Sequence, residues 1–310
     1  MSARHRGAAG SDRPPVGPGG RPAGTCPESV PAGLNSVAEL GALRAAHLRH
    51  RTGEDVLEAA TWAALAAVPT PARVLDVGAG TGNWYDSVRV IAGQACEYVG
   101  VDLQSAMVEA LRSRIGGDAR ARTVLADGER LPADLGRFDW VGLHFVLPHV
   151  ARPDQVLASA WRRVAPGGVL VAAGNGPAHL ERWRQLHTEV LAELGLARQP
   201  AGVGSVPGPD PGEIAALLPP SAHPVVRRVP SGLAFPDLES ALSYYGAVLW
   251  RRGLAPAEAA DPTVRGRLLN AMQARLAERF DREGLFAVAG DTGFVIARRR
   301  PGRQPRARAR

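Results

Sequence analysis

Three glycines alternate in the stretch VLDVGAGTGNW, residues 74–84: Gly78, Gly80 and Gly82. They follow a short apolar run and precede a helical pattern, so their backbone N–H groups and the helix N-terminus face whatever the loop holds. A phosphate-cradling loop of this kind needs a lysine, and all 37 basic residues of this chain are arginine. A dinucleotide loop needs a glycine three positions after Gly80, where Asn83 stands. Asp76, inside the same stretch, repels a pyrophosphate and suits a cationic amino group. Two further acids end the next two apolar runs. Asp102 closes EYVGVD, where a carboxylate accepts both hydroxyls of an adenosine ribose. Asp127 closes ARTVLAD, where one accepts from an adenine exocyclic amine. Three acids at three successive strand tips fit one ligand, cationic at one end, with a ribose in the middle and adenine at the other.

Positioning such acids requires parallel strands ending on one edge. The chain predicts them. Helical patterns over 36–51 and 53–68 precede a strand at ARVLDVG, a helix at NWYDSVRVIAG, a strand at EYVGVDL and a helix at SAMVEALRSRIG with Ser105 as its N-cap. Strands follow at ARTVLAD, RFDWVGLHFV and GGVLVAAGN, the last two separated by the helix RPDQVLASAWRRV. Apolar strands alternating with helices imply a mostly parallel sheet covered on both faces, its strand C-termini along one edge. Beyond Asn175 the rhythm changes to a long helix over 177–196, a loop over 197–212, a strand at HPVVRRVP, helices from 235 to 284 and a closing strand at LFAVAGDTGFVIARR.

The run Asp-x-Gly-x-Gly-x-Gly, then VGVDLQSAMVEAL, ADGERLP, FDWVGLHFVLPHV and RRVAPGGVLV, resembles the class I S-adenosylmethionine-dependent methyltransferases, in particular the small-molecule branch with the ubiquinone/menaquinone-type and natural-product enzymes. The resemblance implies an α/β Rossmann-like sheet of seven strands, mostly parallel, with helices on both faces, an antiparallel last strand and helical additions in the C-terminal half. It implies S-adenosyl-L-methionine as cofactor, with Asp76, Gly78, Gly80 and Gly82 at its methionine part. Asp102 would take the ribose hydroxyls, Leu103 would pack on adenine, and Asp127, with Gly128 and Glu129 beside it, would take the adenine amine. His144 and Phe145 would line the methyl-transfer site.

Methyl transfer from a sulfonium is an in-line displacement that needs alignment first and a base only when the nucleophile must lose a proton. Relatives carry a His-His pair after the fourth strand of the family pattern. Here LPHV puts Pro148 in the first place and His149 in the second, so His149 is the candidate base, with His144 and Asn175 as further candidate catalytic residues. Trp84 and Tyr85 suit either a cation–π cover for the sulfonium or core packing. Trp183, His187, Phe235, Tyr244, Tyr245 and Trp250 suit either an acceptor wall or core. HFVLPH replaces the Asn/Asp-Pro-Pro-aromatic run of amino-methylating nucleic-acid enzymes, and neither cysteine stands where cytosine-methylating enzymes need one. A small-molecule acceptor is therefore expected and nucleic acid is not.

Composition agrees. The seven arginines of the tail 298–310 equal the whole net charge of +7, and the leader adds a net +3, so the body sits near −3 and offers no basic nucleic-acid surface. Residues 1–34 read as a disordered leader and 298–310 as a disordered Arg-rich tail, flanking a methyltransferase domain over 35–297 with a cofactor half (35–175) and acceptor-side elements (176–297). Two cysteines, Cys26 and Cys96, allow no disulfide framework and no thiolate metal cluster. No apolar stretch is long enough to span a membrane and no secretory signal is evident, so a cytoplasmic location is expected. Two other readings stay open: an NAD-type oxidoreductase on a related sheet, which Asn83 disfavours, and a cofactor-binding protein that transfers no methyl, which Pro148 keeps in play.

Overall fold

Apolar residues fill both faces of the predicted strands, and the computed structural model shows why. It describes residues 36–196 and 208–301. The expected leader, Cys26, most of the predicted 197–212 loop and the tail beyond 301 lie outside the described residues. In chain order the elements are α1 (Val37–His50), β1 (Arg51–Gly53), α2 (Val56–Ala67), β2 (Arg73–Val77), α3 (Asn83–Ile91), β3 (Glu97–Asp102), α4 (Ser105–Ile115), β4 (Ala121–Leu125), β5 (Phe138–His144), α5 (Pro153–Arg163) and β6 (Val164–Asn175). Then come α6 (Glu181–Glu193), α7 (Pro211–Leu217), β7 (Val225–Phe235), α8 (Leu238–Tyr244), α9 (Pro256–Ala260), α10 (Pro262–Glu283) and β8 (Phe286–Arg298).

The strands form one sheet in the order β1-β7-β8-β6-β5-β2-β3-β4. The strands β6, β5, β2, β3 and β4 run parallel, while β8 lies antiparallel to both β6 and β7. The strand order reverses between β2 and β5. That reversal opens the crevice at the strand C-termini where ligands of doubly wound sheets bind. The seven expected strands are β2 to β8. The eighth, β1, is three exposed residues paired to β7 through Arg51 and Leu233.

Successive residues of each strand point to opposite faces. Leu75, Val99, Val141 and Leu170 pack with Val156 and Leu157 of α5 and Ile214 of α7 on one face. Val74, Tyr98, Trp140 and Val169 pack with Ala64, Trp84 and Leu111 on the other. A further apolar cluster joins α6, α8 and α10 to the outer halves of β7 and β8 around Trp183, Phe235 and Tyr245.

Two local readings are corrected. Ser105 is the first residue of α4, and Gln104 holds the N-cap place without a side-chain cap; the Asp102 carboxylate accepts the Gln104 N–H instead, at 3.0 Å. The loop predicted over 197–212 ends early, because Pro211 and Gly212 already belong to α7, started by a capping box between Asp210 and Glu213.

Candidate active site

The loop after β2 takes its shape from its glycines. Gly78, Gly80 and Gly82 have φ of 72°, 53° and 89°, a region that L side chains rarely adopt. At Gly78 an added Cβ would also overlap the Val146 side chain, which lies across the loop from the tip of β5. Val146 reaches there because Phe145 turns the chain out of the sheet with φ 58°, its N–H held by Ala173 O at 3.0 Å.

The three acids take up different states. Asp76 is 1% exposed. Its Oδ2 accepts from Tyr98 Oη at 2.6 Å, and its Oδ1 is buried with no partner. Burial pushes its carboxyl up to about 7 against the lowering pull of Tyr98, and the neighbouring Asp102 charge adds to the rise. Asp102 gives one oxygen to Gly80 N–H at 2.9 Å and the other to Gln104 N–H. Those two bonds leave further acceptor capacity on both oxygens. Burial raises its carboxyl above the usual range, with the backbone bonds opposing. Asp127 caps the short turn Gly128–Arg130, its Oδ1 accepting Glu129 N–H at 2.9 Å. Gly128 lies against Val77, where a Cβ would stand 3.2 Å from Cγ1, and Glu129 pairs with Arg152. Leu103 follows Asp102 with 41% of its surface open, an uncovered apolar side chain at the strand edge.

His144 ends β5. Its ring lies 4.4 Å from Trp84, centroid to centroid, and neither ring nitrogen has a partner. Burial alone drives it down to about 3, so it is neutral across the physiological range. His149 closes the turn Leu147–His149; burial, then the Arg252 charge, hold it below its ordinary value. Asn175 ends β6, half-buried, in register with Thr292 of β8. Tips of β2, β3, β4, β5 and β6 thus bring the nominated residues to one edge of the sheet.

Trp84 and Tyr85 belong to the core. Trp84 Nε1 donates to Thr61 Oγ1 at 2.8 Å, and Tyr85 Oη donates to Asp118 at 2.9 Å. The late aromatics are likewise packed together, with Trp183 stacked on Tyr245 at 5.9 Å. Within that cluster Tyr244 Oη and Trp183 Nε1 are buried without partners. Sequence alone does not point to Leu40 of α1, whose Cδ2 would stand 3.1 Å from a Cβ at Gly80. It carries no motif and reaches the glycine loop from an element distant in the chain.

Residues 74–168 match the family model described as a methyltransferase domain. The chain is 38% identical over 99 residues to a demethylmenaquinone methyltransferase of Clavibacter sepedonicus, covering 32% of this chain and 39% of that protein. It is 30% identical over 173 residues to a malonyl-[acyl-carrier protein] O-methyltransferase of Methylococcus capsulatus, covering 56% of this chain and 60% of that one. The chain thus spans less than two thirds of the length of these curated relatives. Among solved structures it aligns with the YcgJ protein of Bacillus subtilis at 17% identity and a TM-score of 0.48, over 78% of this chain and 98% of that one. Among the described residues no helix is long and apolar enough to cross a membrane.

Proposed function

We propose that this chain, whose residues 74–168 match a methyltransferase domain, is a class I enzyme that transfers a methyl group from S-adenosyl-L-methionine to a small-molecule acceptor of quinone-like or secondary-metabolite type. The observation that carries the reading is Asp76 Oδ1: a buried, partnerless carboxylate oxygen beside a glycine loop. A buried acceptor of this kind is costly unless something donates to it, and a ligand ammonium is the donor that fits. Asp102 and Asp127 continue the line of acceptors along the strand tips, and the open face of Leu103 offers adenine an apolar surface. The residues present fit the cofactor.

When bound, the cofactor supplies a methyl group already activated on a sulfonium. The chain's part is to bind, align and manage a proton. Gly78, Gly80 and Gly82 would let the backbone approach the cofactor closely, and Asp102, which holds the loop through Gly80, would also hold the ribose hydroxyls. His144 would contribute an uncharged ring to the methyl-transfer site. His149, held neutral by burial and Arg252, takes the proton of an acceptor hydroxyl, and Asn175 orients the acceptor.

Calorimetric titration of the folded chain with S-adenosylmethionine and S-adenosylhomocysteine tests this. Micromolar binding is expected. Asp102→Ala, which removes two hydrogen bonds to a charged group, weakens it by about a hundredfold. Absence of binding to well-folded protein overturns the reading, and binding without turnover across acceptor panels reduces the protein to a cofactor-binding one.

A further inference from the structure

Tyr98 lies in β3 with no exposed surface. Its ring meets the Tyr85 ring edge-on at 5.1 Å, a contact that phenylalanine makes equally well. Its hydroxyl does what phenylalanine cannot: it donates to Asp76 Oδ2 at 2.6 Å. Asp76 Oδ1 stays buried and unpartnered.

No neighbouring side chain steers the carboxylate in Tyr98's place. Asp76 stands in register with Gly100 of β3 and Gly142 of β5, so both flanking positions lack a side chain. Trp84 fills the space over Gly142 and Leu111 that over Gly100, where added Cβ atoms would fall 2.2 and 2.3 Å from them. Four amides of the glycine loop are also committed elsewhere. Gly78 and Ala79 N–H both donate to Val101 O, at 2.8 and 3.0 Å, Gly80 N–H donates to Asp102, and Gly82 N–H donates to Ala79 O. The two oxygens of a carboxylate are chemically equivalent. Tyr98 engages one and so decides which is left free.

We propose that Tyr98 is a positioning residue for the amino-acid end of the cofactor: by holding Asp76 Oδ2 it turns Oδ1 toward the ammonium. This rests on the methyl-transfer reading and adds to it a residue that never touches the cofactor. A proton linkage follows. Burial lifts the Asp76 carboxyl to about 7, while the Tyr98 bond pulls it down and the Asp102 charge pushes it up. An ammonium at Oδ1 favours the ionised form, so binding releases to solvent whatever proton the free carboxyl still holds. Affinity for an ammonium-bearing ligand therefore falls as pH drops through 7. The other charges nearby belong to α3 and are paired: Arg89 with Asp118 at 2.7 Å, and Asp86 with Arg44 and Arg114. They act on Tyr98 in opposite senses. On β5, His144 is uncharged and lies against Trp84.

Two probes separate the ends of the cofactor. S-adenosylhomocysteine carries the ammonium, whereas 5′-methylthioadenosine keeps the adenine and ribose and lacks the amino-acid end. Both are titrated by calorimetry into the full chain at pH 6, 7 and 8. Methylthioadenosine reports on Asp102 and Asp127, so the ratio of the two affinities isolates Asp76. In the wild type the preference for S-adenosylhomocysteine should grow about tenfold from pH 6 to pH 8, as one proton with a midpoint at about 7 requires. Tyr98→Phe, which removes a hydrogen bond to a charged group, should cut the preference about tenfold at pH 7 and by less at pH 8. Its affinity for methylthioadenosine should match the wild type at every pH, which also certifies its fold. In an Asp76→Asn background Tyr98→Phe should change the preference no further. Equal losses for both ligands, a wild-type preference that is flat with pH, or a preference that Tyr98→Phe leaves intact each overturn the proposal while the methyl-transfer reading stands. Failure of both ligands to bind the well-folded wild type overturns the two together.

Discussion

Gly78 shows how much a single position carries. Its φ of 72° alone costs an L residue about 1–2 kcal/mol, and a Cβ there would also overlap Val146. Gly93 has φ 83° with open space around it, so it isolates the backbone term. Gly78→Ala should therefore lose about 3 kcal/mol or more of unfolding free energy, against about 1 kcal/mol for Gly93→Ala. Urea denaturation of both variants checks this, and equal losses would show that Val146 yields freely. The glycine pattern is legible in the sequence because three alternating glycines between a strand and a helix make a turn that brings backbone N–H groups to a ligand. What presses on Gly78 is not legible, since Val146 follows a different strand.

At the scale of elements, the helices and strands with clear periodicity are readable, and those without it are not. β1 is the exposed tripeptide Arg51–Gly53, whose pairing exists only because β7 passes beside it. α7 begins at a proline within a glycine- and proline-rich run that reads as loop, although Asp210, three residues before Glu213 and ahead of IAAL, carries the capping-box spacing in the sequence. α1 forms where its periodicity predicts a helix, yet it buries none of its residues fully. It is tied down by Arg44–Asp86 and Glu39–Arg251 and rests Leu40 over Gly80. Partly exposed ion pairs hold an element weakly, so α1 should open locally far more often than the sheet does. Hydrogen exchange should run faster over 37–50 than over β2 and β5, and S-adenosylhomocysteine should slow it selectively. Leu40→Ala should remove that ligand-dependent protection. Exchange over α1 as slow as over β2 would show that the helix is part of the rigid core.

At the scale of the whole molecule, the site's buried titratable groups pull stability in opposite directions with pH. His144 and His179 are held near 3 by burial, well below the 6.5 of an unfolded histidine. The unfolded chain therefore binds their protons first. Each costs about 1.4 kcal/mol of stability per pH unit as pH falls below 6.5. Asp76 works the other way. Its carboxyl sits at about 7 against 3.8 when unfolded, so the native state binds its proton first and stability rises by about the same slope as pH falls from 7 to 4. These two histidines outweigh this one acid by about 1.4 kcal/mol per unit between pH 6.5 and 4; His47 and His149, also held low, add to the loss, and Asp102, held high, offsets part of it. Below pH 4 the Asp76 offset ends. Carboxylates held low by arginines or backbone amides, such as Glu97 and Asp118, then add to the fall. The unfolding free energy of the ligand-free chain should thus be greatest near neutrality and decline with a slope that steepens near pH 4. Asp76→Asn removes the offset, so its decline should already be steep from pH 6.5 downward. At pH 8, where the wild type bears the full cost of a buried charge, that variant should be more stable than the wild type. Denaturant titrations at pH 8, 7, 6, 5 and 4 separate these curves. Parallel curves for wild type and Asp76→Asn would mean that Asp76 ionises as freely in the fold as in the unfolded chain, and the case for a buried acceptor waiting for a cation would go with it.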